Sequence, residues 1–211
     1  GGVRACPSRS RISCGCRWIV CGRITVSNSW LPARSAPRIA AACDASLKRL
    51  KTDRIDLYYA HQDDDSQEMA DVLGAFSKLI DAGKVRVLGA SNFHAIRLKQ
   101  AIDLATQQDL PHYHVLQPEY NLLSRTSFEG ELQDLCINHN IGVAPYYGLA
   151  SGFLTGKYRS KDDLGKSARG SRVEKFLDGN GPAVLAAMDQ VADETGALLA
   201  QIALAWLAAQ E

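Results

Sequence analysis

Apolar and polar residues fall into repeating blocks along most of this chain, and four apolar blocks end in the same way. Residues 55–59 (Ile-Asp-Leu-Tyr-Tyr) lead to His61, and residues 85–90 (Val-Arg-Val-Leu-Gly-Ala) lead to Ser91 and Asn92. Val115 and Leu116 lead to Gln117, and residues 141–145 (Ile-Gly-Val-Ala-Pro) lead to Tyr146. Short apolar runs of this kind predict buried strands. Between them the spacing turns helical. Ile39, Ala42, Cys43, Leu47 and Leu50 recur in steps of three and four behind Pro37, whose missing N–H costs nothing in a first helical turn. Met69, Val72, Leu73, Phe76 and Leu79 line one face of a helix predicted over 66–82, with Gly83 as its C-terminal stop. Helices over 94–107, 128–138 and 198–209 and strands over 85–90, 115–117 and 142–145 continue the alternation. Residues 156–181, rich in Lys, Arg, Asp and Gly, read as a long loop. Alternating strands and helices imply right-handed parallel crossovers. In a parallel α/β barrel the active site forms where strands end and βα loops begin, so polar groups recurring there point to one shared site and to an enzyme.

Composition narrows the class further. Hydrophobic content of 46%, charged content of 22% and a net charge of +1 argue against general affinity for nucleic acid or an anionic membrane. No apolar run approaches the roughly 18 residues of a spanning helix. A (β/α)8 barrel takes about 250 residues, so a chain of 211 is expected to hold only part of one.

The near-neutral charge hides a sharp internal split. All 23 acidic residues lie from Asp44 onward, whereas residues 1–43 hold seven arginines, five of the six cysteines, and no Lys, Asp, Glu or Tyr. Such Arg, Gly, Ser and Cys enrichment is expected of misread GC-rich coding sequence. The predicted organisation is therefore an atypical segment over 1–36, not native to the fold, followed by a partial barrel over 37–211. A nucleic-acid or membrane arm is a weaker reading, because the arginines are scattered. Zinc binding by Cys6, Cys14, Cys16 and Cys21 is also weak, because paired C-x2-C spacing is absent. Arg9, Arg11, Arg17 and Arg23 interrupt any secretory apolar core, and reduced cysteines in a cytoplasmic chain are expected.

Six motifs carry a more specific signal. Ser46-Leu47-Lys48-Arg49-Leu50, Asp56-Leu57-Tyr58, Gly83-Lys84-Val85, Gly89-Ala90-Ser91-Asn92-Phe93, Gln117-Pro118-Glu119-Tyr120-Asn121 and Gly152-Phe153-Leu154-Thr155-Gly156-Lys157-Tyr158 follow one another in register. In order and spacing they resemble the aldo/keto reductases. The resemblance implies a (β/α)8 TIM barrel that uses NADP(H) to reduce aldehydes and ketones to alcohols. It also implies that this chain holds strands four to seven with their helices, the first three being replaced or absent and the eighth lying past residue 211. Small-molecule carbonyl substrates are the implied partners, with no nucleic acid, no membrane and an oligomeric state left open.

The same resemblance assigns the strand-end residues. His61 takes the place of the histidine that hydrogen-bonds the substrate carbonyl. Ser91, Asn92 and Gln117 carry hydroxyl and amide groups able to meet both the donor and the acceptor of the nicotinamide carboxamide, although such residues also serve turns and strand ends. Tyr146 offers a face for stacking on the nicotinamide, where alone it would read as core. Tyr147, Gly148, Leu149, Ala150, Ser151 and Lys157 supply backbone donors and one cation for a pyrophosphate. Much of the family has Ser-Pro-Leu where this chain has Tyr147-Gly148-Leu149, which weakens the contacts of the first two. His94, His112, His114 and His139 match no motif and read as surface or packing residues, and no metal is expected. The family's catalytic Asp, Tyr and Lys belong to the early strands, and residues 1–43 contain none of the three. The expectation is an aldo/keto reductase that is weak or inactive as it stands. Two alternatives are a cofactor-binding regulatory subunit resembling potassium-channel beta subunits and a misassembled chain without function.

Overall fold

In the computed structural model, which describes residues 24–26 and 36–210, five strands hydrogen-bond in the order in which the chain visits them. They are β1 (Ile24–Val26), β2 (Ile55–Ala60), β3 (Val85–Ser91), β4 (Tyr113–Gln117) and β5 (Gly142–Val143), and every pairing is parallel. Helices α1 (Ala36–Leu50), α2 (Met69–Asp81), α3 (Ala95–Gln108) and α4 (Glu131–Asn138) occupy the four crossovers. A doubly wound sheet reverses its order at a switch point, whereas sequential parallel order is the winding of an α/β barrel.

Four strands were expected and five are found. β1 comes from the segment assigned by composition to lie outside the fold, yet it is in register with β2, Ile24 opposite Leu57 and Val26 opposite Tyr59. Residues 1–23 and 27–35, with the cysteine and arginine readings made for them, lie outside the described residues.

The main core lies between the sheet and its helices. Tyr58, Leu88 and Leu116 project from adjacent strands into a layer shared with Leu73, Phe76 and Leu98, all essentially without exposure. The Tyr58 and Phe76 rings meet edge to face at 6.0 Å, the geometry that aromatic quadrupoles favour. On α1, Ile39, Cys43 and Leu47 are buried as the spacing predicts. Leu50 is not. It is 40% exposed, because the helix ends there and the chain turns away through Lys51 at φ 52. Gly83 behaves as a C-terminal stop, with φ 70 and its N–H donating to Ile80 O at 2.8 Å.

Residues 156–181 are more ordered than a loop. They hold a 3-10 turn (Lys161–Lys166) and helix α5 (Gly170–Leu177), and they lead into helix α6 (Gly181–Thr195), which the apolar pattern did not reveal. α7 (Leu199–Ala208) follows. Together with Ala150, Phe153, Leu154 and Tyr158, these helices bury Val173, Leu185, Met188 and Ala203 in a second core. Among the described residues no single helix is long and apolar enough to cross a membrane.

Burial sets the alkaline limit of this fold. It pushes the Cys43 thiol from an ordinary 9.0 to about 11, Cys136 to about 12, and the Tyr59 phenol from 10.0 to about 12. All three are neutral when folded and ionise more readily when unfolded, so the folded chain binds more protons in this range. Their stabilisation is complete below pH 9.0 and is lost as pH rises through about 11 to 12. Urea midpoints measured upward from pH 8 should hold steady and then fall beyond about pH 9. A flat profile to pH 11 contradicts this account of the core.

Candidate active site at the strand ends

Because the strands run parallel, their C-terminal ends share one edge of the sheet, and the polar residues that close the apolar runs meet there. Ser91, buried, donates from Oγ to the backbone O of Gln117 at 2.9 Å, joining β3 to β4. Asn92 takes a left-handed conformation (φ 58), which asparagine tolerates better than most residues. Its Nδ2 donates to His61 O at 2.9 Å and to Ser91 Oγ at 3.2 Å. Its Oδ1 accepts from the Tyr146 hydroxyl at 2.8 Å. Side chains or backbone groups from four successive strand ends are thereby linked.

Tyr146 is held from behind by the backbone. Its N–H donates to Pro118 O at 2.9 Å, and its carbonyl accepts from Tyr120 N at 3.4 Å. Burial, with added repulsion from Glu119 and Tyr147, raises its phenol above the ordinary value. Gln117 differs from its neighbours. Among the described residues its half-buried carboxamide makes no side-chain hydrogen bond, leaving a donor and an acceptor available. Asn92, by contrast, already spends both its amide nitrogen and its oxygen on protein partners.

The segment after Tyr146 coils tightly. Tyr147, Ala150, Ser151 and Gly152 all have positive φ, and the 3-10 helix Ala150–Thr155 is kinked at Ser151 and Gly152. Part of the coil closes on itself, the N–H groups of Ala150 and Gly152 donating to Tyr147 O and Leu149 O at 2.6 and 2.8 Å. Leu149 and Ala150 pack into the second core, and the Ala150 N–H already donates to Tyr147 O at 2.6 Å, so neither side chain nor the Ala150 donor is open to a ligand. Lys157 Nζ lies 5.0 Å from the centroid of the Tyr158 ring, and a side chain on Gly152 would sit 3.5 Å from that ammonium. Gly148 has a packing reason: a Cβ there would approach Leu207 Cδ2 to 3.0 Å. Tyr147 is 47% exposed, packs edge to face on Tyr146 at 5.1 Å, and accepts from Arg172 Nη1 at 3.4 Å.

Several contributors escaped the sequence reading. Asn121, fully buried, accepts from Leu123 N and Ser124 N at 2.9 and 3.0 Å and donates to Tyr147 O at 3.1 Å, fixing the start of the coiled segment. It closes the motif Gln117-Pro118-Glu119-Tyr120-Asn121, but its role needs a contact 26 positions away. Arg97 and Asp63, 34 positions apart, form a fork beside His61 for which no local signal exists. Among the described residues no three His, Cys, Asp or Glu side chains are grouped to hold a metal ion. His94, His112, His114 and His139 are exposed. A surface depression bordered by Leu47, Lys48, Lys51, Thr52 and Asp53 lies before β2, at the other edge of the sheet.

With this geometry in place, comparison with known proteins is decisive. Residues 15–211 match the profile of the Aldo/keto reductase family. The chain belongs to that family. The match begins upstream of the boundary at residue 37 that composition suggested, and it takes in β1. Over 184 residues the chain is 34% identical to a probable voltage-gated potassium channel subunit beta from Arabidopsis thaliana, covering 82% of this chain and 55% of that protein. It is 30% identical to an L-glyceraldehyde 3-phosphate reductase from Escherichia coli O157:H7, covering 82% and 51%. It is also 30% identical to the aldo-keto reductase yakc [NADP(+)] of Schizosaccharomyces pombe, covering 82% and 50%. In structure it resembles the glycerol dehydrogenase AKR11B4 from Gluconobacter oxydans, with a TM-score of 0.70 at 26% identity, covering 84% of this chain and 53% of that one. The chain spans about half the length of the curated relatives it matches.

Proposed function

We propose that this aldo/keto reductase chain carries the cofactor-facing and carbonyl-facing part of an NADP(H)-dependent aldehyde or ketone reductase, and that its 211 residues turn over slowly by themselves. The observation that carries the reading is the convergence of Ser91, Asn92, Gln117, Tyr146 and the His61 backbone at one strand-end edge, through hydrogen bonds of 2.8 to 2.9 Å. The free carboxamide of Gln117 fits a ligand that itself presents an amide, since each can satisfy the donor and the acceptor of the other. Ser91, which donates to Gln117 O and accepts from Asn92 Nδ2, keeps one hydroxyl lone pair for the same ligand, and Asn92 holds the surrounding residues in place. Tyr146 contributes a ring face, while the coiled backbone over 147–151 and the Lys157 ammonium suit a pyrophosphate. When bound, the nicotinamide supplies the hydride.

His61 is assigned the hydrogen bond to the substrate carbonyl, which stabilises the oxyanion as it develops. Completing the reduction also needs a proton. Three tyrosines near the site are poor sources at neutral pH: Tyr58 packs into the helix layer, Tyr59 is raised to about 12, and Tyr146 is raised and already donates to Asn92. This supports slow turnover. A cytoplasmic location and a preference for NADP(H) over NAD(H) belong to the same proposal, the latter supported by the name of the Schizosaccharomyces pombe relative.

One observation favours a second reading, a regulatory subunit that binds cofactor with little turnover: the Arabidopsis thaliana relative is named a channel subunit. Both readings share the cofactor site, and both are tested by titrating NADPH fluorescence with the chain and with Gln117→Ala. Losing a desolvated amide pair should weaken binding about tenfold. Equal affinity in the two proteins contradicts the site, and hydride transfer then separates reductase from subunit.

A further inference from the structure

We propose that Arg97 is a positioning residue for His61. The inference rests on the reading of His61 as the hydrogen-bond donor to the carbonyl. His61 lies just past β2, at the start of a segment that runs to α2 with little regular structure. That segment contains three adjacent carboxylates, Asp63, Asp64 and Asp65, whose mutual repulsion favours splaying. Arg97, in the first turn of α3, meets them from the neighbouring βα unit. Its Nε donates to Asp63 Oδ2 at 2.6 Å and its Nη2 to Asp63 Oδ1 at 3.1 Å, a two-pronged pairing that fixes orientation as well as distance. The same Nε lies 3.0 Å from Asp65 Oδ1, and Nη1 donates to Gln100 Oε1 at 3.3 Å.

Burial separates this pair from the other ion pairs among the described residues. The Arg97 side chain is 23% exposed and that of Asp63 is 15%, whereas Lys99 with Asp103 and Arg159 with Asp189 are each above 40%. Reduced solvent screening makes the clamp stiffer than a surface pair. It also acts where stiffness matters. Asn92, five positions before Arg97, holds the carbonyl of His61 at 2.9 Å, and Arg97 holds the chain two positions beyond. The β3 to α3 junction therefore grips His61 on both sides, and removing one grip frees the imidazole to rotate away from a carbonyl. Displacement of a catalytic group by about 1 Å can lower rate about 100-fold, so a loss of about 10- to 100-fold is expected in Arg97→Gln.

The test uses the whole chain and four variants: Arg97→Gln, Asp63→Asn, the charge exchange Arg97→Asp with Asp63→Arg, and His61→Ala. Single-turnover hydride transfer from NADPH to 4-nitrobenzaldehyde, with protein in excess, reads rates too slow for steady state. The expected result is a rate loss of about tenfold or more in the first two variants, NADPH affinity within about twofold of wild type, and recovery of most of the rate in the exchange. The His61 ring resonances should move in Arg97→Gln and return in the exchange. A rate within about twofold of wild type in Arg97→Gln overturns the proposal while leaving the site intact. An unchanged rate in His61→Ala, or no transfer by wild type, defeats the reading of His61 instead. The clamp is then judged on the ring resonances alone, and unmoved resonances overturn it. Asp63→Asn keeps the side-chain volume and serves as the reference if Arg97→Gln fails to fold.

Discussion

The 211-residue chain is expected to reduce 4-nitrobenzaldehyde with NADPH about 100 to 10,000 times more slowly than an intact aldo/keto reductase, the range associated with loss of a positioned general acid. Residues 1–43 offer no Tyr, Lys or Asp for the role, and burial raises the phenols of Tyr59 and Tyr146 near the strand ends above their ordinary value. A phenol raised to about 12 gives up its proton reluctantly near pH 7, and an oxyanion left unprotonated reverts to the carbonyl. With His61 in its proposed role as hydrogen-bond donor to the carbonyl, His61→Ala should remove most of the residual rate. Turnover equal to that of an intact relative, lost in His61→Ala, contradicts the account and turns attention to Tyr146, whose Phe variant would then abolish the reaction.

Phe153→Ala is expected to lower unfolding free energy by about 3 to 5 kcal/mol, a large share of the roughly 5 to 15 kcal/mol typical of a domain. Phe153 is fully buried at the centre of the second core, packs on Phe176 at 5.5 Å, and touches Gly181 so closely that a Cβ there would lie 2.7 Å from its Cζ. The surrounding backbone is pinned by those contacts and cannot collapse into the space a removed ring leaves, so the cavity cost adds to the lost burial. Leu149 and Ala150 belong to the same cluster, which couples this core to the coiled segment that follows Tyr146. Urea unfolding measures the change, and a loss below about 1 kcal/mol shows that the second core collapses to fill the gap.

The elements legible in the sequence are those whose apolar residues repeat cleanly. β2, β3 and β4 have concentrated apolar runs, and α2 carries four large buried side chains at helical spacing, Met69, Leu73, Phe76 and Leu79. α6 offers only Leu185 and Met188 as large buried positions in a stretch of Ala, Asp and Glu, too sparse a stripe to stand out, and its Gly181-Pro182 start reads as a turn. β1 was hidden for another reason. Three residues, Ile24-Thr25-Val26, sit in a segment whose composition pointed away from the fold, and their strand character is expressed only beside β2.

The candidate site divides in the same way. That Ser91, Asn92, Gln117 and Tyr146 close apolar runs is visible along the chain, and parallel winding brings such positions to one edge. How they share hydrogen bonds is not. The order of residues does not name the partners of Asn92, whose left-handed turn at φ 58 accompanies its bonds to His61 O and the Tyr146 hydroxyl. The Arg97 fork and the Asn121 bonds to residues 123, 124 and 147 likewise depend on distances that spacing does not encode.

The central claim is that a nicotinamide cofactor binds at the strand-end edge of this sheet, and amide NMR shifts of the chain titrated with NADP+ test it most directly. The account predicts saturable shifts concentrated at Ser91, Asn92, Gln117 and Tyr146 through Ser151, with the Gln117 side-chain amide among the largest movers. Saturable shifts grouped instead around Leu47, Lys48, Lys51, Thr52 and Asp53 at the opposite edge, or no shifts at millimolar cofactor, contradict it.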